Sequence, residues 1–208
     1  MAYQAYYYAS DPDKVNAVFG SKNKDFLETI KENKCYQAHD RQISVFRHLM
    51  IDIVMHYEGP DKPGKKRFGL FPIKPVDGLG LSPRYAETYG FAVEALCDYY
   101  GDELECPEEI FNYGRHWDAA DKYITDWGGK VFLNKTTAPS TLFDLPKIKK
   151  FPVINYYNLE ELKELNELLE KNLNQLNSDD KSVQLLFAFH KHIKHCLQKT
   201  VPMVSFLY

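Results

Sequence analysis

No hydrophobic run in the sequence approaches the length of about 18 residues that a membrane-spanning helix needs. The first residues, MAYQAYYYASD, lack both the positive charge and the leucine-rich stretch of a secretory signal peptide. These two absences predict a cytoplasmic protein that does not enter a membrane.

Cysteine is scarce, and the cysteines occur singly. None stands in a CxxC pair, so the sequence offers neither a zinc ribbon nor a disulfide framework. We therefore expect reduced thiols at all of these positions, which are Cys35, Cys97, Cys106 and Cys196.

The sequence also lacks an excess of positive charge, since 26 Lys and Arg stand against 29 Asp and Glu, for a net charge of -3 at pH 7. Nucleic-acid binding normally depends on clustered basic residues that neutralise phosphates. We therefore expect no nucleic-acid partner. A small basic group lies within the Gly- and Pro-rich stretch from Glu58 to Pro83, where we predict a solvated loop. Its members are Lys62, Lys65, Lys66 and Arg67.

The sequence does contain enough apolar and aromatic residues for a core, at 44% and 14% of 208 residues. A chain of this length forms one domain more readily than two. Several segments have the three-and-four spacing of a helical face, and a few short stretches alternate with period two. We predict a single α+β domain over residues 1–208, predominantly helical with a small sheet. Its strands are predicted at Ala2–Ala9, Phe151–Tyr157 and Val201–Tyr208, the last beside the first.

The segment from Asp40 to Tyr57 is predicted to form a central helix. Its apolar residues follow helical spacing and spread almost around the cylinder, which indicates burial on most sides. The main apolar face comprises Ile43, Phe46, Met50, Ile53, Val54 and Tyr57, and the opposite polar strip comprises Arg41, His48, Asp52 and His56.

Three further helices have distinct signals. In Tyr85–Tyr99 the acidic residues Glu87, Glu94 and Asp98 line the face opposite the apolar one. Asn158 caps the next helix, with Glu161 placed three residues later as in a capping box. The last helix is predicted to begin at Ser178 and Asp179, with His190 among the residues on its buried side.

His48, Asp52 and His56 form the sharpest chemical pattern, because residues four apart lie on one helical face. Imidazole and carboxylate are good ligands for zinc or iron, so one interpretation is a divalent metal or acid–base site. The alternative is a set of salt links on a solvated helix surface. A second, weaker group consists of His190, His192, His195 and Cys196. We predict His190 on the apolar face of the helix and His192 and His195 pointing away from it, so that His192 and Cys196 would share a metal.

Three short stretches carry a resemblance. They are Tyr6–Asp11 continuing through Phe19–Ser21, the helix from Tyr89 to Cys97, and the end of the chain from Val204 to Tyr208. Together they resemble a group of uncharacterised bacterial proteins classed as a domain of unknown function. The resemblance implies a bacterial cytosolic single domain and assigns no catalytic residue, ligand or partner.

No GxSxG, P-loop, GxGxxG or HExxH motif occurs at a usable spacing. The absence favours a non-catalytic protein that binds another protein, for example a regulatory or immunity-type partner. The competing hypothesis is a metal-dependent enzyme that uses His48, Asp52 and His56.

Overall fold

The computed structural model describes residues 4–59, 81–112, 114–133, 142–176 and 179–208. Helices account for 60% of these residues, and the fold is α+β, as predicted. In the described ranges, no helix is both long and apolar enough to cross a membrane. Nearly all of the predicted loop from Glu58 to Pro83, including its basic group, lies outside the described residues.

The α-helices of the described residues are numbered here in chain order. They are α1 (Pro12–Asn16), α2 (Lys24–Thr29), α3 (Lys34–Gln42), α4 (Phe46–Ile51), α5 (Ala86–Tyr100), α6 (Glu108–Phe111), α7 (Arg115–Asp126), α8 (Leu159–Asn172) and α9 (Lys181–Lys199). The strands are β1 (Ala5–Ala9), β2 (Asp102–Leu104), β3 (Val153–Tyr157) and β4 (Met203–Leu207).

The chain divides into two compact units, each assembled from separate stretches of sequence. One unit consists of Met1–Asp11, Gly101–Ser140 and Val153–Tyr208. The other consists of Pro12–Tyr100 and Thr141–Pro152. We call the first the sheet unit and the second the helical unit, and the single domain over 1–208 stays a prediction.

The sheet unit is built on an antiparallel sheet in the order β2-β1-β4-β3. Ser205 of β4 pairs with Tyr7 on one side and with Asn155 on the other. The predicted strands at both ends of the chain are therefore confirmed, and so is their pairing. Helices α7, α8 and α9 supply most of the apolar side chains that form a core with the sheet. The core includes Tyr7 of β1 and the helical residues Trp117, Ile124, Leu165, Phe189 and Ile193.

The predicted capping box at the start of α8 is present. Asn158 Oδ1 accepts hydrogen bonds from the backbone N–H groups of Glu160 and Glu161, both at 2.9 Å. The Glu161 carboxylate in turn accepts from the Asn158 N–H at 3.0 Å. At the start of α9 the cap is Asp180, one residue later than the predicted Asp179.

In the helical unit, the predicted continuous helix from Asp40 to Tyr57 is wrong. Helix α3 ends at Gln42, where Ile43 adopts extended backbone with φ -121° and ψ 102°. The chain restarts as α4 at Phe46 and continues as a π-helical turn over Asp52–His56. The β-branched residues Ile43 and Val45 flank Ser44, and all three have lower helix propensity than Ala or Leu. Interrupting the helix at these residues therefore costs little free energy.

The predicted burial of this segment is nevertheless confirmed. Carbonyl groups of Ile53 and Val54 accept hydrogen bonds from the N–H groups of Gly20 and Lys22, at 2.8 and 2.9 Å. Gly20 has φ +68°, and a Cβ there would lie 2.5 Å from the Tyr57 carbonyl oxygen, so the turn requires glycine. The buried apolar residues are Phe46, Leu49, Met50, Ile53, Val54 and Tyr57.

Candidate functional site

Helices α3 and α5 of the helical unit are tied together by the residue that begins α3. Asn33 Oδ1 accepts the N–H of Tyr36 at 2.9 Å, which caps the helix. The Asn33 side-chain amide also donates to Asp98 Oδ2 of α5 at 2.7 Å. One side chain thus sets both the start of α3 and its position beside α5.

A cluster of cysteine, histidine and glutamate lies between the same two helices. Cys35 and His39 are four residues apart on α3 and therefore share a face. Glu94 projects from α5, and one ligand atom from each of the three side chains lies within 4.8 Å of the other two. The Nε2–H of His39 donates to Glu94 Oε2 at 2.9 Å. We call this group the Cys35–His39–Glu94 cluster.

The cluster extends from the core toward the surface. The Glu94 side chain is only 4% exposed and that of His39 15%, whereas Cys35 is half-buried. Aromatic rings flank His39, with centroids 5.0 Å away for Phe91 and 5.6 Å for Phe46. A buried carboxylate is costly unless it is paired, and the His39 hydrogen bond supplies a partner for it.

The burial of Glu94 corrects the prediction for this helix. The sequence pattern placed Glu87, Glu94 and Asp98 together on a polar face, but only Glu87 is exposed. Asp98 is half-buried, and Glu94 lies in the core among Val93, Ala95 and other apolar residues of α5. A carboxylate at such a position contradicts the local pattern, and such conflicts concentrate at functional sites.

The donor set suits a transition metal. Zinc binds thiolate sulfur, imidazole nitrogen and carboxylate oxygen, while magnesium and calcium prefer oxygen ligands alone. At Zn–N and Zn–O distances of about 2.1 Å, tetrahedral geometry separates the two ligand atoms by about 3.4 Å. The observed 2.9 Å between His39 and Glu94 is therefore about half an ångström short of that separation. A small side-chain movement would admit the ion in place of the shared proton.

The column predicted from the sequence lies elsewhere in the helical unit. His48 is on α4 and exposed, and His56 at the end of the π-helical turn is exposed as well. Asp52, at the start of that turn, is half-buried. Within the described ranges, the metal-capable group with converging ligand atoms is the Cys35–His39–Glu94 cluster. A metal at the His48 column stays a prediction.

The second predicted group, on α9, is divided among separate partners. His190 Nε2 lies 3.1 Å from Asn166 Oδ1, and His195 Nε2 lies 2.7 Å from Asp102 Oδ2. His192 donates from Nε2 to the Glu105 carbonyl at 2.8 Å and is buried, whereas His190 is half-buried. The prediction had placed His190 on the buried side and His192 away from it, so that assignment is wrong.

Burial favours the uncharged forms of His192 and Cys196. It lowers the pKa of His192 to about 4 and raises the pKa of the Cys196 thiol to about 12. Cysteine binds a metal as its thiolate, and burial opposes the loss of the Cys196 proton. Nothing in this geometry favours the shared metal that the sequence suggested for His192 and Cys196.

Sequence reasoning missed Cys35 and His39, although a signal was present. Asn33 is a good N-cap residue, and it precedes a segment in which Cys35 and His39 stand four apart. The predicted central helix begins at Asp40 and therefore leaves both residues outside it. If α3 is predicted as a separate helix, the spacing of four residues places Cys35 and His39 on one face of it.

Comparisons with known proteins identify a family and nothing more specific. No curated protein and no solved structure is significantly similar to the chain. A family model described as Domain of unknown function (DUF7691) matches residues 76–208. The matched region contains Glu94 and α5 but not α3. It includes two of the three stretches that carried the resemblance, Tyr89–Cys97 and Val204–Tyr208. The match spans more than half of the sequence, and the chain therefore belongs to the DUF7691 family of proteins of unknown function.

Proposed function

We propose that this protein binds a transition metal, with Zn²⁺ as the best-fitting ion, through Cys35, His39 and Glu94. The observation that carries the proposal is the buried Glu94 carboxylate, which lies 2.9 Å from His39 and within 4.8 Å of a thiol on the same face of α3. Sulfur, nitrogen and oxygen donors are thereby brought together from two helices.

Charge balance supports this ion. Zinc would be held by a thiolate, a neutral imidazole and a carboxylate, so the two negative ligands balance the two positive charges of the metal. A neutral assembly suits a site whose carboxylate is 4% exposed, because an uncompensated charge there would be strongly unfavourable.

The ligand number indicates the kind of site. Structural zinc sites normally have four protein ligands, whereas catalytic sites have three and leave one position for water or a substrate. Three ligands converge here, so we infer an open coordination position. The Asn33–Asp98 hydrogen bond at the start of α3 supports the same helix pair and limits its movement when the metal binds.

The test is the metal content and zinc affinity of the full chain, purified without a histidine tag. We expect one zinc ion per chain by elemental analysis, with an affinity measured by chelator competition. Cys35→Ser, His39→Ala and Glu94→Gln should each weaken zinc binding at least about tenfold, since even changes outside the ligand set cost 10–100-fold.

The matched control is a His48→Ala/His56→Ala double variant, which should retain zinc with unchanged affinity. Absence of bound zinc at micromolar free metal would refute the proposal. Zinc lost from the double variant and retained by His39→Ala would instead support the metal-dependent enzyme hypothesis for the His48 column.

We propose, second, that the sheet unit is a non-catalytic protein-binding module of regulatory or immunity type in the bacterial cytoplasm. The supporting observation is that its buried titratable side chains are held uncharged. Burial raises the pKa of Cys106 and Cys196 to about 12 and lowers that of His192 to about 4. Groups whose pKa values lie this far from neutral pH are poorly suited to proton transfer or nucleophilic attack, whereas their burial contributes to packing.

This second proposal predicts a partner protein that binds the purified full chain with defined stoichiometry. Titration calorimetry with a partner isolated from the native host provides the measurement. Binding unaffected by Cys35→Ser would support a metal-independent module. Turnover of a substrate abolished by replacing His192 would contradict the non-catalytic assignment.

A further inference from the structure

The three side chains of the Cys35–His39–Glu94 cluster differ in how firmly the backbone holds them. Glu94 lies in the middle of the 15-residue helix α5, and His39 lies in the second turn of α3. Cys35 lies in the first turn of α3. The first N–H groups of a helix have no acceptor within the helix, and helix ends fray. The position of the Cys35 sulfur therefore depends on the contacts that fix this first turn.

Asn33 fixes the first turn of α3 through two hydrogen bonds. Its Oδ1 accepts the Tyr36 N–H at 2.9 Å, and its side-chain amide donates to Asp98 Oδ2 at 2.7 Å. The first bond keeps the turn helical, and the second ties it to α5, the helix that carries Glu94. The buried Tyr36 ring packs 5.1 Å from that of Phe46, so it holds the turn to α4, which supplies no ligand.

Two hydrogen bonds between α3 and α5 lie on either side of Cys35. Asn33 bonds to Asp98 before it in the sequence, and His39 bonds to Glu94 after it. The partners on α5 are four residues apart and share one face, and their order shows that the two helices are antiparallel here. A displacement of Cys35 relative to Glu94 would therefore strain or break one of these two bonds.

We propose that Asn33 is a positioning residue of the metal site, which holds the Cys35 sulfur within reach of an ion bound by His39 and Glu94. The proposal rests on the proposed zinc site and adds a residue to it. Side chains that hold metal ligands in place typically contribute about 10–100-fold to affinity. A residue that only stabilised the fold would stabilise the metal-free and the zinc-bound protein equally, and its loss would leave the zinc affinity unchanged.

The first arm of the test needs no metal. Amide hydrogen exchange, measured by NMR on the metal-free full chain, reports the opening of the first turn of α3 at the Tyr36 N–H. Asn33→Ala should accelerate this exchange about fivefold, the factor that corresponds to a typical helix cap. Asn33→Ser keeps a capping hydroxyl and should change it less. Unchanged exchange in Asn33→Ala would overturn the proposal, whether or not the protein binds zinc.

The second arm measures zinc affinity by chelator competition and the absorption spectrum of the cobalt-substituted protein. Asn33→Ala and Asp98→Ala should each weaken zinc binding about tenfold or more. The Asn33→Ala/Asp98→Ala double variant should bind zinc as tightly as Asn33→Ala alone, because both changes remove the same hydrogen bond. The sulfur-to-cobalt charge-transfer band should weaken in all three variants, since the displaced ligand is Cys35.

Two control variants separate positioning from charge and from general stability. Asp98→Asn keeps a side-chain oxygen that accepts the Asn33 amide, so it should bind zinc nearly as tightly as the parent. Asn23→Ala removes a cap of the same kind from α2 of the helical unit, where Asn23 Oδ1 accepts the Phe26 N–H at 3.0 Å. It should destabilise the protein and leave the zinc affinity unchanged.

The outcomes distinguish this inference from the zinc site on which it rests. A parent protein that binds no zinc would refute the proposed function, and the inference with it. Zinc bound equally tightly by the parent, Asn33→Ala and Asp98→Ala would overturn the inference alone. Equal losses of affinity in Asp98→Asn and Asp98→Ala would also overturn it, because the charge of Asp98 and not its hydrogen bond would then be responsible. So would equal losses in Asn23→Ala and Asn33→Ala.

Discussion

His39 and Glu94 are 55 positions apart in the sequence, yet His39 Nε2 and Glu94 Oε2 are 2.9 Å apart in the folded chain. The carboxylate side of this pair is almost fully removed from solvent, and the imidazole is flanked by Phe46 and Phe91. A polar pair in such surroundings strongly affects stability, because each side chain supplies a hydrogen-bond partner to a group that is largely removed from water.

Replacing His39 by Ala should therefore destabilise the metal-free protein. The Glu94 carboxylate would lose its hydrogen bond with His39 while remaining buried, at a cost of about 1–3 kcal/mol. Urea denaturation in the presence of a chelator measures this change. His48→Ala, on an exposed residue of the neighbouring helix, should stay within about 0.5 kcal/mol of the parent. An equal midpoint for His39→Ala and the parent would show that the pair contributes nothing to stability.

Zinc should raise the stability of the protein in a concentration-dependent way. A ligand that binds only the folded state at 100 times its dissociation constant adds about 2.7 kcal/mol to the unfolding free energy. Thermal denaturation at increasing free zinc tests this expectation, and EDTA should reverse the effect. Magnesium should produce no shift, since the donor set includes sulfur and nitrogen. A stabilisation that persists in Cys35→Ser would contradict binding at the cluster.

Ile53 and Ile51 provide a matched pair in the segment that follows α3. Ile53 is completely buried and Ile51 only half-buried, although they lie two residues apart. Ile53→Ala should cost about 2–5 kcal/mol through lost burial and a residual cavity. Ile51→Ala should cost less than half as much. Chemical denaturation of both variants is the measurement, and equal losses would contradict the burial described above.

His192 should make the stability of the protein depend on pH. Its Nε2 donates to the Glu105 carbonyl, its buried Nδ1 has no hydrogen-bond partner among the described residues, and it packs against the Phe111 ring. Desolvation by burial, together with the nearby charges of His195 and Lys191, lowers its pKa from 6.5 to about 4.

The sign follows from proton binding. Between pH 6.5 and about 4 the unfolded state binds a proton that the folded state does not, so stability is fully present above pH 6.5. It decreases as the pH falls through that window, by about 3 kcal/mol in total. His192→Gln should remove this contribution while keeping a side-chain donor for Glu105. Denaturation curves between pH 7 and 4 test it, and parallel pH profiles for variant and parent would contradict it.

Local sequence signals predicted much of the fold because the responsible interactions are short-range. The Asn158–Glu161 capping box joins residues three apart, and the period-two tyrosines near the N-terminus describe one extended segment. Helical periodicity and the Asn158 cap likewise placed α5 and the start of α8 within about one residue of their observed positions. The spacing of Phe46, Met50 and Ile53 also predicted their burial correctly, although the continuous helix predicted from the same spacing is wrong.

The sequence did not predict where the helix between Asp40 and Tyr57 is interrupted. The apolar spacing from Asp40 to Tyr57 fits one helix, and only the extended backbone at Ile43 and the π-helical turn at Asp52–His56 show that the path is interrupted. The bonds from Gly20 and Lys22 to Ile53 and Val54 join segments more than 30 residues apart. Periodicity within one window carries no information about such distant partners.

The sequence alone determined the α+β class, the strands at both chain ends and the capping box that begins α8. Only the tertiary structure decided which polar residues became a site. Glu94 has the sequence context of a solvated helix face, and its burial beside His39 depends on how α5 packs against α3. Local free energies of capping and strand formation are encoded within a few neighbouring residues. Desolvation of a carboxylate depends on every element packed around it, and no single stretch of sequence specifies that environment.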